Sequence, residues 1–392
     1  MGLAGGLAAS VVFCRPVYAD SPVVLGETDH YDPSETYTAV DGNQIPEERL
    51  SDNAIEYDEL GSLIHANNLS VQEIRKSTDI NRKEYEEARD YLRAEAGDSM
   101  RDKDEAKDDG EMEDYVEAKS LQAIYNSSAK SYSDRIKDLN KYSANQSRIS
   151  TERQLTSAAQ SLMISWQSLE LQEEYTEKLT ELYEAQYENA AASQAAGLAT
   201  DQEVTAAYNR WMNTSVSADS LADSQETVRQ NLCLVLGVEG EEMELRKIPS
   251  ADPEHLAEYD LEADTKKAIN NNSQVISERT STSDLSTAGM NKKTRAESEM
   301  EEKVRIKMQQ LYEDVMQAKQ SYEAAQTGFS SAKIRWSNAG QKYSLGMLSE
   351  AEYLEEQIQY VQKKASFESA DLALLSAMET YDWAVLGVVT LD

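Results

Sequence analysis

Residues 304–343, VRIKMQQLYEDVMQAKQSYEAAQTGFSSAKIRWSNAGQKY, decide the fold. Val304, Met308, Leu311, Val315, Ala318, Tyr322, Ala325, Phe329, Ala332, Trp336, Ala339 and Tyr343 step alternately by four and three residues. A 4-3 ladder of this length places one stripe of a long helix against a neighbouring helix, as in a coiled coil. Gly346-Met347-Leu348-Ser349 then breaks the helix, and a return helix runs to Leu386 and Gly387. The motif is a long helical hairpin.

The first half of the chain carries the same plan more weakly. Leu155, Ala159, Leu162, Trp166 and Leu169 keep the step, Glu173, Thr176 and Thr180 interrupt it, and Tyr183, Tyr187 and Ala190 restore it. Gly197-Leu198-Ala199-Thr200 breaks this helix, and a second one ends near Leu236 and Gly237. Three landmarks recur in order. Tyr57-Asp58 leads to Asn67-Asn68, as Tyr259-Asp260 leads to Asn271-Asn272. The break at Gly197 parallels that at Gly346, and Leu236-Gly237-Val238 parallels Leu386-Gly387-Val388. From hairpin Gly to terminal Gly is 40 residues in one half and 41 in the other, so the chain reads as a duplication.

Both breaks have a local cause. Gly197 and Gly346 can take the positive φ that ends a helix, Thr200 and Ser349 can cap the next helix, and Glu203 and Glu352 stand at the third position of a capping box. The residue types therefore need no function to explain them. Their location, at the far ends of very long helix pairs, leaves both tips free to touch another molecule.

Around these hairpins the expected organisation is a signal peptide at 1–19, an extended leader at 20–53, a first helical repeat at 54–237, a linker at 238–258 and a second repeat at 259–388. The apolar run 3–13 followed by Val17-Tyr18-Ala19 predicts export with cleavage after Ala19, and Phe13 argues against lipidation of Cys14. Within the first repeat, residues 95–114 hold ten acids and three bases around Gly97 and Gly110, which predicts an exposed acidic linker near 97–110. The helix beyond it is expected to run unbroken from about Glu111 to Ala196. In the second repeat a Ser/Thr/Gly-rich interruption is expected at 281–290. No run after Ala19 reaches the length of a membrane helix.

The 72 acidic and 38 basic residues leave a net charge of −34, which repels nucleic acid and anionic lipid. His30, His65 and His255 are scattered without metal spacing, no glycine-rich phosphate loop occurs, and Cys233 lies on an apolar helix face. The chain is expected to be no enzyme and to need no cofactor.

The paired tips, the Asn-Asn openings and the Leu-Gly ends, arranged twice over about residues 54–388, resemble the TolC-like outer-membrane efflux family. The fold class is therefore all-α, extended antiparallel coiled-coil hairpins in two tandem repeats, a TolC-like α-barrel protomer. The resemblance implies a trimeric tunnel of twelve helices, hung from a β-barrel to which each subunit gives four strands. It also implies tips that meet the adaptor protein of an inner-membrane pump. By that similarity Gly197, Leu198 and Thr200 in one hairpin, and Leu345, Gly346 and Ser349 with Met347 in the other, match the adaptor-docking turns. Glu352 and Glu355 match acidic positions lining the tunnel entrance. The strands should interrupt the helices near 97–110 and 281–290, yet neither stretch offers the 9 to 11 alternating residues that a membrane strand needs. A relative without the barrel, acting in the cell envelope outside the cytoplasmic membrane, is the expectation. A non-conducting extracytoplasmic scaffold is the alternative.

Overall fold

The computed structural model describes residues 47–50, 53–238, 243–281 and 286–389. The expected signal peptide, Cys14, His30 and the leader up to residue 46 lie outside them, as do 282–285 in the second interruption.

Helix dominates, as the scarcity of Pro and Gly requires. Four helices form the body: α5 (Tyr142–Ala195), α6 (Asp201–Leu236), α9 (Thr287–Ser344) and α10 (Glu350–Val385). With 54 and 58 residues, α5 and α9 are each roughly 80–90 Å long at 1.5 Å per residue. Hairpin α5–α6 lies beside hairpin α9–α10 through contact of α5 with α10, giving a layer in the order α6, α5, α10, α9. Asn189 Nδ2 donates to Glu350 Oε2 at 3.4 Å, and Arg153 Nη1 donates to the Leu386 carbonyl at 2.8 Å. Both tips therefore sit at one end of the layer, and both Leu-Gly ends at the other.

The 304–343 ladder packs as its spacing requires. Val304, Met308, Leu311, Val315, Ala332 and Ala339 are buried. Toward the tip the seam becomes aromatic: Tyr322, Phe329, Trp336 and Tyr343, seven residues apart, meet Phe367, Tyr360 and Tyr353 of α10, also seven apart. The weaker first-half ladder has a physical reason. Helix α5 has a neighbour on each side, so it buries two stripes rather than one, and it admits polar groups such as Thr156, Gln160 and Thr176. The Gln160 amide oxygen accepts from the Trp383 indole, which ties α5 to α10.

The opposite end is a joint built from short helices: α2 (Leu60–Asn67), α7 (Leu261–Asn271) and α8 (Ser273–Thr280). Strand β1 (Ala54–Ile55) pairs in parallel with β2 (Glu244–Leu245), the only sheet among the described residues, and no barrel closes there. No helix among them is long and apolar enough to cross a membrane.

Several boundaries differ from the sequence reading. The acidic stretch 97–110 is not a linker. Helix α3 (Leu69–Asp109) runs straight through Gly97, turns only at Gly110 with φ 78°, and α4 (Met112–Leu139) packs back against it. Its seam is made of small and polar residues, so apolar periodicity never showed there. The expected unbroken helix from 111 to 196 stops at 140–141, where Asn145 Nδ2 donates to the Leu139 and Lys141 carbonyls at 2.9 and 3.1 Å. The end of the leader holds a helical turn, α1 (Glu47–Leu50), and the first repeat opens with β1 rather than helix. The linker 238–258 contains β2 and a 3-10 turn, His255–Glu258. Helix α9 begins at Thr287, inside the expected interruption, because Ser286 caps it by accepting from Gly289 N at 3.1 Å.

Candidate functional site: the two hairpin tips

Each tip is two local motifs in series. Gly197 and Gly346 adopt φ of 76° and 70°. Leu198 N donates to the Ser193 carbonyl and Gly197 N to the Gln194 carbonyl, both at 2.8 Å; Met347 N and Gly346 N do the same to Lys342 and Tyr343, both at 2.9 Å. This is a Schellman turn, made twice. Two or three residues on, Thr200 N donates to Glu203 Oε2 at 2.7 Å and Glu203 N to Thr200 Oγ1 at 3.3 Å. Ser349 and Glu352 repeat the pair at 2.9 and 3.3 Å. The capping boxes expected from sequence are present in both hairpins.

These bonds fix the electrostatics. Hydrogen bonds from Ser349 hold the Glu352 carboxyl below its ordinary range, and those from Thr200 do the same for Glu203, so both stay ionised at neutral pH. Glu355 stands one turn beyond Glu352, exposed, and accepts weakly from Gln359 Nε2 at 3.4 Å.

What the motifs leave over is hydrophobic. A Schellman turn usually packs its last residue against the helix residue five positions earlier. Here those earlier residues are the polar Ser193 and Lys342. Leu198 is left 83% exposed and Met347 70%, with Leu345 beside it at 73%. No Cβ added at Gly197 or Gly346 would meet a heavy atom within 4 Å, so the turns stand clear of the body. Behind the second tip, Tyr343 and Tyr353 stack with ring centroids 4.6 Å apart and stiffen its base.

At the joint the same turn is used twice more for another purpose. Gly237 and Gly387, with φ of 75° and 89°, end α6 and α10. They lie against the Asn-Asn openings: Asn68 Nδ2 donates to the Val235 carbonyl at 2.8 Å, Asn271 Nδ2 to the Val385 carbonyl at 3.0 Å and Asn272 Nδ2 to the Gly387 carbonyl at 3.4 Å. The Oδ1 atoms of Asn68 and Asn272 meanwhile cap α3 and α8. The first and third sequence landmarks of each repeat are thus two sides of one contact. Sequence reasoning took them as separate markers, and their shared recurrence was the signal that they meet.

Other titratable groups are absorbed structurally. His65 Nδ1 lies 3.0 Å from Glu152, which also accepts from Arg148 at 2.6 Å, and His255 pairs with Glu258 at 3.3 Å. The carboxylates of Glu56, Asp58 and Glu59 could together hold a cation, but Arg49 reaches all three, at 2.5, 3.0 and 2.7 Å. Burial pushes the Cys233 thiol up, consistent with a packing role.

No family model matches the sequence, and a search of curated proteins gives no match. Solved structures do. CusC, described in the context of folding and transmembrane channel formation, superposes with a TM-score of 0.53 at 13% identity, covering 84% of this chain and 96% of that one. The outer-membrane channel OprN gives 0.46 at 11% identity over 91% and 94%. The outer-membrane channel MtrE of Neisseria gonorrhoeae gives 0.39 at 12% identity over 93% and 98%. The likeness to CusC establishes a shared helical fold of the TolC-like kind.

Proposed function

We propose that this protein is a TolC-like tunnel component of an export or efflux assembly in the cell envelope, a homotrimer that docks a pump's adaptor protein through its two hairpin tips. The observation that carries this reading is the pair of uncovered apolar turns. Leu198, Leu345 and Met347 are presented at one end of the layer by the same turn motif, each with most of its side chain exposed. A cluster of this kind suits contact with another protein.

The layer supports closure. Its order leaves α6 and α9 as open edges, and a layer with two unlike edges can join head to tail around a symmetry axis. In such a ring Glu352 and Glu355 of each copy would approach the axis near the tips, a cation-attracting entrance. The TolC-like fold supports the same reading.

Single cysteines at Leu198 and Met347, crosslinked in cells that also express a pump and its adaptor, test it. Crosslinks of both positions to the adaptor are the expected result. A chain that remains monomeric, with neither tip crosslinking to the adaptor, would overturn the tunnel reading and leave a non-conducting coiled-coil scaffold.

A further inference from the structure

The hairpin α3–α4 stands apart from the body. Its two helices pack chiefly on each other, with far less contact to α5 and α2. Its seam is unlike any other in the molecule. On α3, Arg75, Arg82, Arg89 and Lys103 share one heptad position, and charged residues there cost stability while fixing register. Beyond the base of α3, the residues it buries are Ala96, Ser99 and Ala106, and α4 adds Ala118 and Ala129. The seam of α9, by contrast, buries Val304, Met308, Leu311 and Val315. Small side chains remove far less apolar area from water.

The grip is uneven along the arm. Near the base, the Tyr85 and Tyr132 rings lie 5.9 Å apart, the Arg135 guanidinium sits 5.8 and 5.4 Å from them, and Arg82 Nη2 donates to Asn140 Oδ1 at 2.7 Å. Farther out, Lys103 Nζ donates across the arm to Gln122 Oε1 at 3.0 Å. At the turn, like charges face one another: the Glu111 carboxyl is pushed up by Asp114, Asp109 and Glu105. Residues 95–114 hold ten acids and three bases.

We propose that the α3–α4 arm is a separately melting unit, which unzips from the Gly110 turn toward the Tyr85–Tyr132 clasp while the body stays folded. Local opening of this kind is set by buried apolar contact, which in the distal arm is limited to alanines, and electrostatic repulsion at the turn assists it. The proposal stands on the arm alone and does not depend on tunnel assembly.

Hydrogen exchange followed by mass spectrometry on the full chain tests it. Amides of 95–117 should exchange at least about 100-fold faster than those of 304–330, with protection rising from the turn toward residue 85. Raising salt from about 0.05 to about 0.5 M should slow exchange in 95–117 by about 3- to 10-fold and leave the body unchanged. Tyr132→Ala should extend fast exchange to the base of the arm, and Arg89→Leu should raise arm protection, about 10-fold in each case, with 304–330 unaffected. Arm protection equal to that of the body, insensitivity to salt, or a loss of protection throughout the molecule in Tyr132→Ala would overturn it.

Discussion

The glycine turns at Gly197 and Gly346 and those at Gly237 and Gly387 are the same motif with opposite fates. All four adopt positive φ and close with the same pair of backbone hydrogen bonds. At the joint, a Cβ on Gly237 would stand 2.5 Å from the Asn67 carbonyl oxygen, and one on Gly387 would stand 2.3 Å from that of Asn271. At the tips a Cβ would meet nothing. The turn itself is therefore silent about function. What informs is whether the chain has spent its surroundings on its own fold.

The largest expected effect breaks the joint. Gly387→Ala or Gly237→Ala forces backbone against backbone as well as an unfavourable φ, and should cost about 3–5 kcal/mol in denaturant unfolding. Gly197→Ala and Gly346→Ala carry the φ penalty alone, about 1 kcal/mol. Equal losses at tip and joint would erase the distinction between them.

Next come the asparagines. Asn272→Ala removes both the cap of α8 and the bond across to the Gly387 carbonyl, and Asn68→Ala does the same for α3 and Val235. Each should cost about 2–3 kcal/mol, while removal of a tip cap by Ser349→Ala should cost less.

The joint and the tips also differ in how they respond to pH. Burial, with the charge of Asp382 adding to it, pushes the Glu379 carboxyl from 4.5 up to about 7. The folded state therefore holds this proton more tightly than the unfolded chain does. Its contribution is complete below pH 4.5 and is lost as pH rises through about 7. The unfolding free energy should fall over that window, by an amount on the order of 2 kcal/mol, and Glu379→Gln should flatten the fall. Glu203→Gln and Glu352→Gln at the tips, whose carboxyls are held low, should leave that window unchanged.

The smallest stability effect belongs to the exposed residues. Leu198→Ser and Met347→Ser should alter unfolding by no more than about 0.5 kcal/mol, because the side chains are mostly exposed. Their main effect should fall on the proposed docking of an adaptor.

Legibility in the sequence followed the chemistry of each seam. The α9 ladder was readable because its long seam against α10 is one stripe of large apolar residues. Helix α5 was fainter because two neighbours divide its surface. Of the α3–α4 arm, α4 lay inside an expected helix but its pairing with α3 could not be seen: alanines, arginines and tyrosines at the inward positions carry no apolar period, and the charge near Gly110 imitates a linker. The tips were legible to the residue, since Gly, Thr or Ser and Glu at fixed spacing define a turn and a capping box. That Leu198 and Met347 lie uncovered was not, because exposure depends on what the rest of the chain brings near. The joint was half legible: its landmarks recurred visibly, but contact between residues over 100 positions apart, such as Asn271 and Val385, has no local signature.

The mass of the protein in solution, measured by sedimentation at several concentrations, tests most directly the claim that this layer closes on itself. A stable species of three chains is the predicted result. A monomer across the whole range would contradict it.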